Sequence, residues 1–305
     1  MIDTSRYRAI LQALFVTVLW SLSWVLIKRS IDSIPPLLFA GLRYMMAFLI
    51  LLPGIKKHRT VVKELTKQQW GMLFVLGLVF YTFTQGGQFL TLKHLDAVSF
   101  SLILNFTSVL VAILGIFFLR EVPSRLQWGG IFVFLIGVVI YFSSEKLAGG
   151  SILGFVLAIF TVSANAGASM LGRAVNRQQN IPPLVVTVVS MGIGSIILLS
   201  AGLISNGWPM LKLNDWLVIL ILAVVNTAFA FTLWNKTLQV LSSVESSMIN
   251  NTMLIQIALL AWLFLGEKLS IWNIVGLILA ATGVFLANIK TSGKRKTNFF
   301  RDIIK

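Results

Sequence analysis

The stretch PLVVTVVSMGIGSIILLSAGLIS, residues 183–205, decides the fold class. It runs for 23 residues without a charged side chain, enough to cross a hydrocarbon core of ~30 Å, for which ~20 apolar residues suffice. Its apolar residues do not alternate with polar ones, so it is no strand of a membrane barrel, which would switch face at every residue over ~10 positions. In lipid every backbone amide needs a partner within the segment, and the stretch therefore reads as a membrane-spanning helix.

Similar runs flank it on both sides. The first half of the chain gives spans at 9–28, 35–53, 70–92, 97–119 and 126–143; the second half adds 151–172, 215–235, 244–265 and 270–289. The reading is thus an all-α integral membrane protein with ten transmembrane helices. The first run has no clear small-residue cleavage site and nine spans follow it, so it reads as a span and not as a cleaved leader. Pro35-Pro36 and Pro182-Pro183 open predicted helices two and seven, where a missing amide donor does no harm. Trp70, Trp128, Trp216 and Trp272 stand near span starts, at the level where an indole meets headgroups.

The composition agrees. Of 305 residues, 57% are hydrophobic and 11% charged, against roughly 25% charged in soluble domains; the mean hydropathy is +0.89. Absence of cysteine excludes disulfides and thiolate metal sites. The formal charge of +15 does not imply nucleic acid, because Lys and Arg gather on cytoplasmic loops. With the N-terminus inside, that side holds Arg6, Arg8, Lys56, Lys57, Arg59, Lys63, Lys67, Arg120, Arg125, Arg173, Arg177 and Lys236, together with the basic tail at 291–305. The other side holds only Lys28, Arg29, Lys93, Lys146, Lys212 and Lys268. Both termini are therefore expected in the cytoplasm of a cell with the protein in its plasma (inner) membrane.

The chain also repeats itself at an offset of about 146 residues. Trp70 matches Trp216, Ser101 matches Ser247, Asn105 matches Asn251 and Glu121 matches Glu267, while Gly130 and Gly137 match Gly276 and Gly283. The units are 1–146 and 147–290. Five spans are an odd number, so the second copy enters the membrane upside down. Two inverted five-helix repeats are an architecture of secondary transporters, whose site lies near the midplane between the halves.

Several of these residues carry a resemblance. Leu19-Trp20-Ser21, Ala40-Gly41-Leu42-Arg43-Tyr44, and Leu119-Arg120-Glu121 through Gly130 to Gly137 resemble an EamA repeat, and the last pattern returns as Leu265-Gly266-Glu267 through Gly276 to Gly283. Over nearly its whole length the chain is similar to two-repeat, ten-helix members of the drug/metabolite transporter superfamily. The resemblance implies an exporter type, and its relatives include amino-acid and metabolite exporters. Where family members often carry a mid-helix proline in helices four and nine, this chain has Thr107-Ser108 and Met253-Leu254.

Polar side chains within spans are costly and usually face a bundle interior or a wet cavity. Predicted helix three puts Tyr81, Gln85 and Gln88 at i, i+4 and i+7 of one face, and their repeat equivalents are Thr227, Phe231 and Trp234, beside Asn226. Helix four offers Ser101 and Asn105, helix nine Ser247, Asn250 and Asn251, helix six Asn165 and Ser169, and helix one Trp20, Ser23 and Trp24. Such residues either line a substrate cavity or hold helices together through hydrogen bonds. Arg43 either snorkels, bonds backbone carbonyls or meets a substrate carboxylate. Glu121 and Glu267 are expected to pair with the adjacent Arg120 and Lys268 or to cap helices. Glycines in helices five and ten suit close packing or a homodimer contact.

The expected function is secondary-active export of a small metabolite by alternating access. No Asp, Glu, His or Lys stands at mid-span, which suits a neutral or zwitterionic substrate such as an amino acid, aromatic ones included, better than a proton-exchanged cation. A multidrug, organic-cation or nucleoside exporter is the alternative. An intramembrane enzyme would need a nucleophile–base pair or a metal cluster in the bundle, and His58 and His94 lie in or beside loops; a channel or scaffold is the remaining class. No cofactor, metal or catalytic residue is expected; the partners are the substrate and the bilayer.

Overall fold

A computed structural model describes residues 4–30, 34–95, 100, 103–143, 151–208, 210–265 and 270–289. Among the described residues the chain is helical throughout, with no strand. Six helices are long and apolar enough to cross a membrane: Pro36–Glu64, Arg125–Ser143, Ile152–Arg177, Pro183–Asn206, Leu213–Thr237 and Ile271–Asn288; Thr107–Leu119 is a shorter apolar helix. Side chains such as Phe117, Phe132, Ile159, Leu263, Ile278 and Phe285 stand exposed around the outside, a belt that suits lipid and not water. The protein is a multi-pass membrane protein.

Helix ends follow local chemistry. Pro35 and Pro182 occupy the N-cap positions of Pro36–Leu51 and Pro183–Asn206, with proline in the first turn of each. Thr66 and Gln69 form a capping box that starts the helix at 67, and Ser270 with Asn273 does the same for Ile271–Asn288. Arg120, at φ 52, turns the chain out of the helix that ends at Leu119.

Among the described residues three helices carry π turns, besides the 3-10 turn at Leu52–His58. π turns occupy Gly77–Gln85, Gly115–Leu119 and Leu222–Phe229. The first and third lie one repeat offset apart. Two further interruptions match in the same way: a turn at Asn105-Phe106 precedes Thr107–Leu114, and one at Asn251 separates Ser243–Asn250 from Thr252–Leu265. Neither turn contains a proline.

Two antiparallel helix pairs organise the packing. In one, Arg125–Ser143 lies along Ile271–Asn288: a Cβ on Gly137 would stand 2.5 Å from Ala280 N, and one on Gly283 would stand 2.4 Å from Phe134 N. In the other, Pro36–Leu51 lies along Pro183–Asn206, where a Cβ on Gly41 would meet Leu199 Cα at 2.6 Å and one on Gly202 would meet Leu38 Cα at 2.8 Å. The glycines of predicted helices five and ten thus face one another within a single chain, which accounts for their small size without a second copy. Around these pairs the halves interlock. Thr4–Ser30 packs on Ala230–Thr237 and Thr252–Leu265, and Ile152–Arg177 packs on Gly86–His94 and Thr107–Leu114.

Charged residues tie one end of the bundle. Arg6 donates to the Glu245 carboxylate and to Asn288 O. Glu121 does not pair with neighbouring Arg120 as expected. The left-handed turn at Arg120 swings it away, and its carboxylate instead accepts from Arg173 Nε at 3.0 Å and from Ser243 N at 2.8 Å. Glu267 and Lys268 lie outside the described residues.

Candidate transport site

The packing gathers aromatic residues from four helices around Phe231. Ring centroids of Trp20, Tyr44, Phe80 and Tyr81 lie 5.0, 5.9, 5.4 and 5.6 Å from it. Trp234 extends the cluster, 5.1 Å from Trp20. The tilted and edge-on geometries are those that aromatic quadrupoles favour.

The π turn at Leu222–Phe229 supplies polar atoms at the edge of this box. Asn226 O accepts from Trp20 Nε1 at 3.1 Å and from Arg43 Nη2 at 3.4 Å. Thr227 Oγ1 accepts from Arg43 Nε at 2.7 Å, and Asn226 Nδ2 donates to Leu19 O. One turn therefore fastens three helices. π turns recur at functional sites because the extra residue reorients backbone and side-chain groups.

A cavity of ≈ 30 Å³ opens beside the box, lined by Phe80, Tyr81, Ser169, Ser190, Trp234 and Asn235 among others. It is sized for water and not for a metabolite, whose pockets run to ~300 Å³ or more. Tyr81 is 1% exposed, and its hydroxyl makes no hydrogen bond of normal geometry. Ser190, on the same wall, donates to Val186 O. Ser190 is the polar neighbour of this phenol across the cavity, and a buried hydroxyl so poorly bonded is costly.

The structure brings Trp20, Tyr81, Asn226 and Trp234 together. Asn105 and Asn165 belong to a neighbouring cluster: Asn165 Nδ2 donates to Thr107 Oγ1 at 3.4 Å, and Asn105 O accepts from Ser108. Ser247 donates to Val244 O, and Ser23 donates to Trp20 O. Asn251 is buried with Nδ2 unpaired. Gln85, Gln88 and Asn250 are half-buried. Ser101 lies outside the described residues, as does the Trp24 side chain.

Two polar networks escaped the sequence reading. Gln256 accepts from Ser21 and donates to Thr17 and Thr252, joining Thr4–Ser30 to Thr252–Leu265. Asn176 donates to Asn235, which donates to Thr187. Hydroxyls and amides scattered through apolar runs carry no pattern that singles these sets out. Residues of the first network do not line the cavity, whereas Asn235 of the second does. Gln256→Leu is expected to lower stability by about 1 kcal/mol, the scale of hydrogen bonds between membrane helices, and to leave substrate exchange intact. Thermal unfolding in detergent reads the first effect and vesicle exchange the second; unchanged stability would show that the network contributes nothing.

The chain matches the model described as the EamA-like transporter family twice, over residues 7–143 and 150–289. It is 27% identical over 299 residues to "Uncharacterized transporter YvbV" of Bacillus subtilis, covering 95% of this chain and 94% of that one. A Chlamydia muridarum protein named "S-adenosylmethionine/S-adenosylhomocysteine transporter" is 23% identical, with 82% of each chain covered. A Salmonella typhimurium protein named "Probable amino-acid metabolite efflux pump" is 25% identical, covering 90% of this chain and 92% of that one. A crystal structure superposes with a TM-score of 0.73 at 16% identity, covering 93% of this chain and 96% of that chain, and so shares the fold. Family, relatives and spanning helices point to a membrane transporter rather than an enzyme, and by the match of both halves the chain belongs to the EamA-like transporter family.

Proposed function

We propose that the chain is a secondary-active exporter of small metabolites, amino acids foremost, working by alternating access between inverted repeats at 1–146 and 147–290. The observation that carries this reading is the matched interruption of the helices. π turns at 77–85 and 222–229, and turns at Asn105 and Asn251, recur at the repeat offset on helices flanking the aromatic box. Broken helices at a repeat interface are where transporters of inverted architecture bind their cargo. The antiparallel course of the two glycine-lined pairs supports the inversion, since a two-fold axis in the membrane plane reverses each helix. On this reading the protein has ten spanning helices and sits in the cell membrane with both termini, and the basic tail at 291–305, in the cytoplasm. Any homodimer contact through Arg125–Ser143 and Ile271–Asn288 uses their outer faces, where Phe132, Val139, Ile278 and Phe285 are exposed.

On this reading the box and the ≈ 30 Å³ cavity beside it widen into the substrate chamber as the halves move; its indole, phenol and amide groups, with no mid-span carboxylate, suit amino acids. The compounds named for the Chlamydia and Salmonella relatives share an α-amino-acid group. The aromatic surfaces also suit a nucleobase, so nucleoside export is the second reading.

Counterflow in proteoliposomes, with amino acids or nucleosides loaded inside and labelled compound outside, tests both. Accelerated exchange is expected with amino acids. Trp20→Ala should cut it at least tenfold in protein that stays monodisperse. Tyr81→Phe, which removes only a poorly bonded hydroxyl, should raise KM several-fold while unfolding no earlier than wild type. Wild-type kinetics in both variants would remove the box from the transport path.

A further inference from the structure

We infer that Arg43 commits the chamber to substrates bearing a carboxylate, an inference that rests on the amino-acid reading above. Arg43 stands two turns inside the helix that Pro36 opens, about 10 Å along its axis at ~1.5 Å per residue, and it is 7% exposed. The side chain does not snorkel towards an interface; it reaches across to the π turn of Leu213–Thr237.

Among the described residues no carboxylate pairs with its charge. The ion pairs among the described residues join Arg6 to Glu245 and Arg173 and Arg177 to Glu121; none includes Arg43. A guanidinium has five N–H donors. Nε and Nη2 bond a hydroxyl and a carbonyl, and among the described residues Nη1 donates to nothing. The Tyr44 ring, 5.5 Å from Cζ, offsets the charge only in part, since a cation–π contact is weaker than an ion pair. A purely structural role would be served by a neutral donor at far lower cost, because a buried charge without a partner is heavily penalised.

A substrate carboxylate resolves this arrangement. It is planar and accepts two parallel hydrogen bonds from a guanidinium. Asn226 O holds Trp20 and Arg43 on the same atom, so a ligand whose carboxylate meets Arg43 lays its side chain against the indole and Phe231. The Tyr81 oxygen, in the same cluster, can accept a hydrogen bond from the substrate ammonium. The same fixed positive charge disfavours organic cations.

Counterflow with L-phenylalanine and L-methionine, each against its carboxamide, is the test. Wild type is expected to exchange the acids at least tenfold faster than the amides. In Arg43→Gln the acid-to-amide ratio should fall towards one, and Arg43→Lys, which keeps the charge, should retain part of the preference. Equal exchange of acid and amide by wild type would overturn the inference and leave a transporter standing. So would an Arg43→Gln variant that loses both series in proportion. Should that variant fail to fold, the wild-type ratio and the lysine variant decide. Silence of wild type towards all four compounds would overturn the amino-acid reading and this inference together.

Discussion

Gly137→Leu is expected to leave no monodisperse protein in detergent, while Gly129→Leu in the same helix leaves yield and Tm close to wild type. The contrast lies in what each new side chain meets. At Gly129 nothing stands within 4 Å of a Cβ. At Gly137 a Cβ would lie 2.5 Å from Ala280 N and 2.6 Å from Gly276 O. Both obstacles are backbone atoms of the facing helix, which cannot rotate aside as a side chain can. The two helices would have to separate along their length. That would dismantle the cluster of Phe134, Val138, Ala280 and Val284 that the seam encloses. Overpacking an ordinary core costs ~1–3 kcal/mol; a backbone clash repeated along a helix pair costs more, against a total stability of ~5–15 kcal/mol. Gly276→Leu should behave like Gly137→Leu, because a Cβ there meets Tyr141 N at 2.5 Å. Size-exclusion profiles of the three variants give the answer. A folded Gly137→Leu protein with wild-type Tm would mean that the helices do not meet along this face.

That seam was legible in the sequence, because small residues spaced through an apolar run have few uses other than close approach. The six spanning helices and the proline pairs that open two of them were legible for the same kind of local reason: each depends on residues a few positions apart. The site was legible only in part. Tyr81, Gln85 and Gln88 share a face in an ideal α-helix, yet the helix passes through a π turn from Gly77 to Gln85. The extra residue changes the angle between successive side chains, and Tyr81 is buried in the aromatic box while the glutamines are half-buried. No residue in GLVFYTFTQ announces that turn. Phe231 was visible only as the repeat equivalent of Gln85 and Tyr44 only within the stretch at 40–44, while nothing singled out Phe80; tertiary packing collects the three around Trp20. Asn226 was visible as a polar residue in an apolar run, but its carbonyl, which holds both Trp20 and Arg43, belongs to a backbone that every residue shares. The partner of Glu121 was hidden by sequence distance, since Arg173 and Ser243 reach it from two other helices.

Glu121→Gln is expected to raise access to the chamber from the charged end of the bundle at least tenfold. Glu121 follows the left-handed residue that ends Thr107–Leu119, and its two carboxylate oxygens divide their work. Oε1 accepts from Arg173 Nε at 3.0 Å, with Arg177 Nη1 at 3.8 Å. Oε2 accepts from Ser243 N at 2.8 Å and Ser243 Oγ at 2.9 Å, at the start of Ser243–Asn250, where a negative charge also meets the positive end of the helix dipole. Arg173 Nη1 donates onward to Leu238 O at 2.6 Å. The pair therefore holds three helices and the turn that precedes Ser243–Asn250. The pair is neither open to solvent nor sealed off, with Arg173 5% and Glu121 16% exposed at the side chain. Removing one member of a buried pair costs ~3–5 kcal/mol because the other charge is stranded, whereas separating both into water costs much less. An intact pair can therefore open when both sides hydrate, and a gate needs that property. The absence of native cysteine makes the measurement direct: Ser169→Cys, on the wall of the cavity, is labelled with a membrane-impermeant maleimide from either face of the vesicle. With Glu121→Gln added, labelling should rise from the face that bears Arg173 and fall from the other. Arg173→Gln should change labelling less in the Glu121→Gln background than alone, because the two residues share the contact between Arg173 Nε and Glu121 Oε1. Unchanged labelling alongside a lowered Tm would reduce the pair to a structural brace and place the gate elsewhere.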